Sequence, residues 1–501
     1  MCGNTWGAPT RSCCAGNGDR SLRPSPMTPS IFNEMKKALL PIWILLLLLP
    51  PAAAQDYYNV RKQTRISTGL NEAAAVPFED GVVYITESTS VGASSPTDPL
   101  GRRLFTIFYY REKGGVKGPF IDALVTQRHE GPVSFTSDGS LMAFSQQRPS
   151  SANRDFDPLG IYFADNVEGQ WTNIRPYEHN DPFAWLFSPA LSPDGRTLFF
   201  SANLPDAIGG FDIYKSELKG GSWTEPENLG RAVNTSGEEL YPFYHSSGKL
   251  YFSSDGHDDN LAGYDLFESV LLNGKWTRAR KLPAPFNTLS NDYHVWFDEN
   301  FKSGYITSDR GSGSKEIFTF GTDIPEFEAP EPIKKTYYKY RIYDRKLDTV
   351  DTDLFRYSWL INDTLELPGH EVVYRFPGPG RYVCKLQVYD RQLDTLVEGQ
   401  TVKTLNIELN EQAVITCPDT IPVNTPVVFD GSETHLPGFN IGRYVWEFGD
   451  GTYGEGIRVT HAYRYPGTYR VILGVEERKQ NRRDVPEVRS NFRDVVVSGS
   501  E

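Results

Sequence analysis

Five tight-turn signals recur between residues 55 and 322: Asp80-Gly81, Asp138-Gly139, Asp194-Gly195, Ser247-Gly248 and the degenerate Asn300-Phe301. Their second residues stand 58, 56, 53 and 53 positions apart. Two-residue Asp-Gly turns favour hairpins, because the positive φ they adopt matches the twist of the flanking strands. An apolar strand precedes each turn and an aromatic one follows it, as in Leu198-Phe199-Phe200-Ser201 and Leu250-Tyr251-Phe252-Ser253. Third strands read Phe211-Asp212-Ile213-Tyr214 and Tyr264-Asp265-Leu266-Phe267, and fourth strands open with Trp171-Thr172, Trp223-Thr224 and Trp276-Thr277. A four-stranded unit repeated at this period is the pattern of a propeller blade, which buries its faces only against its neighbours. The expectation is an all-β chain with a five-bladed β-propeller over residues 55–322. The fifth unit stops after its third strand, at Glu316-Ile317-Phe318, while residues 60–68 read as a stray fourth strand. That strand is expected to complete the last blade and hide both sheet edges.

Composition narrows the function classes. Among 501 residues the net charge is −13 and no basic block occurs, which argues against nucleic-acid binding. Aromatic residues make up 13% of the chain, too many for a disordered chain or a coiled coil. Met35-Lys36-Lys37, the apolar run to Leu49 and Ala52-Ala53-Ala54 form a secretory signal over residues 35–54. The run is too short for a membrane span, so none is expected after cleavage. Residues 1–34 read as a non-native or disordered leader. Cleavage leaves Cys384 and Cys417, whose pairing the sequence leaves open.

Gly209-Gly210-Phe211-Asp212-Ile213-Tyr214, Asn228-Leu229-Gly230, Val233-Asn234-Thr235 and the run from Leu250 to His257 resemble the TolB-like, WD-related propeller repeats of Bacteroidota envelope proteins. In that group the propeller often accompanies an OmpA-like peptidoglycan-binding domain, including in gliding and type IX secretion machinery. No OmpA-like domain is found in this sequence, so the resemblance does not imply peptidoglycan anchoring. Residues 323–332 are acidic and Pro-rich, expected as a semi-rigid linker. Residues 333–410 alternate as a β-sandwich. In residues 411–501, Val445-Trp446-Glu447-Phe448-Gly449-Asp450-Gly451 and His461-Ala462-Tyr463-Arg464-Tyr465-Pro466-Gly467 are similar to the PKD domain, an immunoglobulin-like sandwich. Residues 333–410 echo it with Tyr357-Ser358-Trp359 but lack the Phe-Gly-Asp-Gly turn, and are read as PKD-like. Trp359 and Trp446 are expected to be core aromatics.

The eight histidines are scattered singly, and no His-Glu-x-x-His, Gly-x-Ser-x-Gly or phosphate loop occurs. No catalytic residue, metal or cofactor is expected. If each blade's first strand is innermost, the Asp-Gly turns share one face and the longer second-to-third loops the other. Recognition residues collect on such loops. Arg148, Arg154 and Asp155 in the second unit and Asp255, His257, Asp258 and Asp259 in the fourth are the candidates. Asp212 and Asp265 are expected to cap turns. The functional expectation is a non-enzymatic scaffold, exported to the periplasm, outer membrane or cell surface, that binds an envelope protein or glycan. The alternatives are a polysaccharide- or peptide-active enzyme using a propeller cleft, or a surface adhesin.

Overall fold

The computed structural model describes residues 57–87, 97, 103–121, 124, 126, 128–148, 158–328, 330–334, 338–345, 350–397, 401–479, 481 and 485–499. The leader, the signal, Arg154 and Asp155 lie outside them. The described residues form no α-helix.

Five antiparallel sheets follow the repeat. Sheet I takes Glu72–Phe78, Gly81–Thr86, Thr106–Arg111 and Val116–Pro119, and sheet II takes Glu130–Phe135, Leu141–Gln147, Leu159–Val167 and Gln170–Pro176. Sheet III holds Leu186–Leu191, Thr197–Ala202 and Asp212–Lys219, and sheet IV holds Glu239–Tyr244, Lys249–Ser254 and Asp265–Leu272. In both, two short segments share the fourth position, because the chain bends after its tryptophan. Sheet V holds Asp292–Phe297, Ser303–Ser308 and Glu316–Gly321. Its fourth strand is Asn59–Lys62, antiparallel to Glu316–Gly321 with Asn59 opposite Gly321.

The first strands touch in cyclic order, sheet V against sheet I included. Between neighbours lie apolar clusters, such as Ile66, Val82, Tyr84, Phe108 and Ile317 where sheets V and I meet. Ala74, Gly131, Ser188 and Tyr241 take positive φ at a bulge in the first strands of sheets I to IV. The bulge frees their amides for cross-sheet bonds: Ala74 N donates to Thr307 Oγ1 at 3.0 Å and Ser188 N to Ser145 Oγ at 3.0 Å.

Two sandwiches follow. The first packs Lys339–Tyr343 and Glu371–Arg375 over a sheet ordered Leu365–Pro368, Phe355–Ile361, Gly380–Asp390, Val402–Ile407. The second packs Val427–Asp430 and Arg458–His461 over Tyr453–Glu455, Ile441–Glu447, Gly467–Glu477 and Val488–Ser498. Each core is built on a fully buried tryptophan whose indole donates to backbone: Trp359 to His370 O at 3.0 Å, Trp446 to Gly456 O at 2.8 Å. Cys384 is buried in the first module and Cys417 packs against the core of the second; both are free thiols.

Residues 323–332 do not behave as a free spacer. Phe327 packs so closely on Gly474 that a Cβ there would lie 2.0 Å from its ring, and Glu331–Pro332 pairs in parallel with Val488–Ser498. An extended segment with no partners of its own satisfies its backbone on the nearest open edge. The second sandwich also docks on sheets IV and V. Val445 and Tyr453 share an apolar cluster with Tyr251, Phe297 and Phe301. Around that cluster Lys249 Nζ donates to Asp450 O at 2.9 Å, Arg464 Nη1 to Glu268 Oε1 at 3.0 Å and Tyr453 N to Tyr57 Oη at 3.0 Å. The second sandwich, last in sequence, therefore sits against the sheets, while the side-chain hydrogen bonds described for residues 338–407 stay within the first.

Candidate functional site: the loop face of the five sheets

Buried acids fix the loops on this face. Glu72, Glu130, Glu239 and Asp292 each begin a first strand, are at most 1% exposed, and accept the amide of a threonine four residues earlier. Thr68 and Thr235 donate at 3.0 Å and Thr288 at 2.7 Å, and Thr126 makes the same bond. A carboxylate that captures a loop amide turns the crossover between sheets into a closed ring. Burial pushes the Glu130 carboxyl up to about 7 and raises Glu72 and Glu239 too, against the lowering effect of their threonines. The Thr-x-x-x-Glu/Asp spacing was present in the sequence, but its regularity across sheets is what marks it as structural.

The second-to-third loops are pinned likewise. Asp212 accepts from Ile208 N at 2.7 Å, Gly209 N at 3.1 Å and Asn228 Nδ2 at 2.6 Å, and Asp265 accepts from Leu261 N at 2.5 Å. Of the candidate recognition residues, Arg148 turns back on the fold, donating to Pro158 O at 3.2 Å and Ala184 O at 2.8 Å. Asp255 accepts from Glu238 N at 2.8 Å, and the His257 ring lies 4.2 Å from that of Phe267. Burial, the largest influence, lowers the His257 pKa. Asp258 and Asp259 remain exposed, Asp259 with its carboxylate 3.9 Å from Lys281 Nζ.

An aromatic cluster that the sequence reading missed lies beside them. Lys315 Nζ sits 4.0 Å from the ring centre of Tyr293 and 5.5 Å from that of Tyr241, and Tyr264 meets Tyr293 at 5.4 Å. The Tyr264 hydroxyl donates to the Glu238 carboxylate. Burial, then Asp309, pushes the Tyr293 phenol up to about 12, so its hydroxyl stays protonated at neutral pH. Leu289 and Leu261, 83% and 50% exposed, stand on the adjoining loops. Half-buried aromatic faces, a cation, carboxylates and exposed leucines are binding chemistry. On the opposite face, a cavity of about 360 Å3 lies where the first strands converge, lined by Phe135, Phe243, Trp296, His245 and Glu299 among others. Among the described residues no group of three or more His, Cys, Asp or Glu side chains is placed to hold a metal ion.

Residues 410–489 match the family model described as a PKD domain. Over 132 residues, 26% of this chain, the sequence is 27% identical to collagenase ColA of Clostridium perfringens (strain 13 / Type A). The match spans 11% of the length of that curated relative. Similar solved structures include a prolyl endopeptidase (11% identity, 75% of this chain and 55% of the other, TM-score 0.28). The tricorn protease is similar at 13% identity, over 84% of this chain and 48% of the other, with TM-score 0.28. A puromycin-hydrolysing peptidase of Mycobacterium tuberculosis matches at 14% identity, over 81% and 57%, with TM-score 0.28. Scores this low carry no argument about fold or activity.

Proposed function

We propose that this chain is a non-enzymatic, exported interaction or scaffold protein of a bacterial cell envelope. In this reading the five sheets are the blades of a TolB-like, WD-related propeller closed by Asn59–Lys62, and the sandwiches are two PKD-type modules that carry it. The partner is an envelope protein or glycan held on the loop face, in keeping with secretion or gliding machinery. The observation that supports this is the chemistry of that face. Its acids Glu72, Glu239 and Asp292 are occupied in anchoring loops, and what it presents outward is Tyr241, Tyr264 and Tyr293 around Lys315, with Leu261, Leu289, Asp258 and Asp259 on the rim. The test is capture from native envelope by the full chain and by a variant carrying Leu289→Asp, Asp258→Lys and Asp259→Lys. Loss of the crosslinked partner with unchanged thermal unfolding is expected. Undiminished capture, or turnover of a sugar or peptide by the purified chain, would overturn the reading.

A further inference from the structure

The two sandwiches can be aligned residue by residue through their registers. Trp359 lies opposite Leu386 and Trp446 opposite Leu473, and on the next strands Cys384 lies opposite Lys403 and Val471 opposite Arg493. Val402, Thr404 and Asn406 of the first module therefore correspond to Phe492, Asp494 and Val496 of the second. In the second module this edge is filled from outside. Phe492 O accepts from Ile333 N at 3.1 Å, Val496 N donates to Asp419 O at 3.1 Å, and Ser498 O accepts from Val423 N at 3.0 Å. The covering segments, Glu331–Pro332 and Thr420–Pro422, both run parallel to the edge strand, and Ile421 is fully buried in the core.

The same edge of the first module is open. Val402–Ile407 ends its sheet, and among the described residues no strand pairs with its outer side. Thr401 O accepts from Leu386 N at 2.8 Å, so the antiparallel alternation turns the N–H and C=O groups of Val402, Thr404 and Asn406 outward. The side chains show the same deficit. Val475 and Val495 are fully buried, whereas their counterparts Val388 and Leu405 are only half-buried, and among the described residues none stands in for Ile421. The cause is in the chain: Glu331–Pro332 and Ile333, which precede the first module, are spent on the edge of the second.

We propose that the outer edge of Val402–Ile407 is a strand-acceptor site, which takes an extended peptide segment of a partner protein, parallel to it, with an aliphatic residue seated as Ile421 is in the second module. Main-chain bonds to Val402, Thr404 and Asn406 supply affinity, and the gap beside Leu405 and Val388 supplies selectivity. A second copy of this chain is disfavoured as occupant, since a two-fold axis normal to the sheet would bring the identical edge in antiparallel. The site is independent of the loop face.

The probe is a fluorescent synthetic peptide of this chain's residues 418–425, titrated into the full-length protein. Saturable binding is expected, with slowed amide exchange confined to residues 402–406. Asn406→Pro removes an outward donor where an edge strand tolerates proline, and weakens binding about 10-fold or more. A peptide carrying Ile421→Asp loses binding with the protein unchanged, which keeps the test valid should Asn406→Pro misfold. The proposal is overturned if the native peptide does not bind, if protection falls on residues 492–498, if the Ile421→Asp peptide binds equally well, or if the edge proves to be occupied by a second copy in solution.

Discussion

The two sandwiches share strand order, a buried tryptophan and even a tyrosine that bonds four residues back, Tyr382 to Gly378 O and Tyr469 to Tyr465 O, both at 2.9 Å. They differ in what surrounds that core. The second is fixed to sheets IV and V and has its edge covered by two segments; the side-chain hydrogen bonds described for the first stay within it, and among the described residues no strand covers its edge. The docking on the sheets traces to one turn. After Trp359 the chain turns through Asn362 and Asp363, whose side chains point to Val383 N and Lys385. After Trp446 it turns through Gly449, Asp450 and Gly451, and Gly451 lets Phe301 of sheet V come so close that a Cβ would lie 2.8 Å from its ring. Equal cores thus give unequal modules, because docking is decided at the turns.

The largest effects come from emptying the cores. Trp359→Ala and Trp446→Ala should each cost about 3–5 kcal/mol. Their reach should differ. Trp446→Ala is expected to lower the unfolding of the sheets as well, through Val445 and the shared cluster, whereas Trp359→Ala should shift one calorimetric transition and leave the rest in place. Coincident shifts in both variants would mean that the first module is coupled to the sheets by contacts beyond those described.

Next in size is Gly451→Leu. The residue has φ +87° and no room toward Phe301, so overpacking of about 1–3 kcal/mol is expected, with hydrogen exchange rising around residues 298–302 as the junction opens. Protection there equal to wild type would show that the junction does not depend on this approach.

A pH profile separates the second sandwich from the sheets. Burial alone would raise the Asp450 carboxyl, but His461, which bonds it at 2.9 Å, together with Lys249 and Thr452, outweighs burial and holds it well below the usual carboxylate range. A depressed folded pKa stabilises above the unfolded value, ~3.9, and that contribution is lost as pH falls below it. Glu130 has the opposite sign: raised to about 7, it favours the folded state below the unfolded value of ~4.3 and loses that contribution as pH climbs through 7. Denaturant midpoints read between pH 3 and 8 should therefore flatten at the acid end in Asp450→Asn and at the neutral end in Glu130→Gln. An Asp450→Asn profile parallel to wild type would remove the carboxylate from the junction's energetics.

What was legible in the sequence was whatever local conformation dictates. Asp138-Gly139 and Asp194-Gly195 announce their hairpins because the turn needs positive φ at glycine, and Trp359 and Trp446 announce cores because so large a side chain must be buried. Side-chain direction was not legible. Arg148 and His257 sit on loops where recognition residues gather, yet backbone carbonyls claim one and the Phe267 ring the other. The junction was hidden for a different reason. Phe301 replaces the glycine of the repeat and reads as a degenerate turn, while its counterpart Gly451 reads as an ordinary one. Arg464 meets Glu268 across 196 residues and Lys249 reaches Asp450 across 201, pairings no local pattern carries. Nor does alternation reveal that residues 331–333 cover an edge belonging to the later module.

The smallest expected effect tests whether charge pairs distinguish the modules. Arg341 and Glu371 form a two-pronged pair across the small sheet of the first sandwich, at 2.5 and 2.7 Å, while Arg464 meets Glu268 at 3.0 Å in the junction. Geometry favours the first pair, but both its groups face water, where ordering two long side chains offsets most of the attraction. Glu268, only 4% exposed, is left with Lys249 alone if Arg464 is removed. Arg341→Met should thus leave the first module's unfolding temperature unchanged within error and insensitive to salt, whereas Arg464→Met should lower the transition of the docked unit. The reverse order would mean that the first sandwich, despite its bare edge, is held by its surface rather than by its tryptophan.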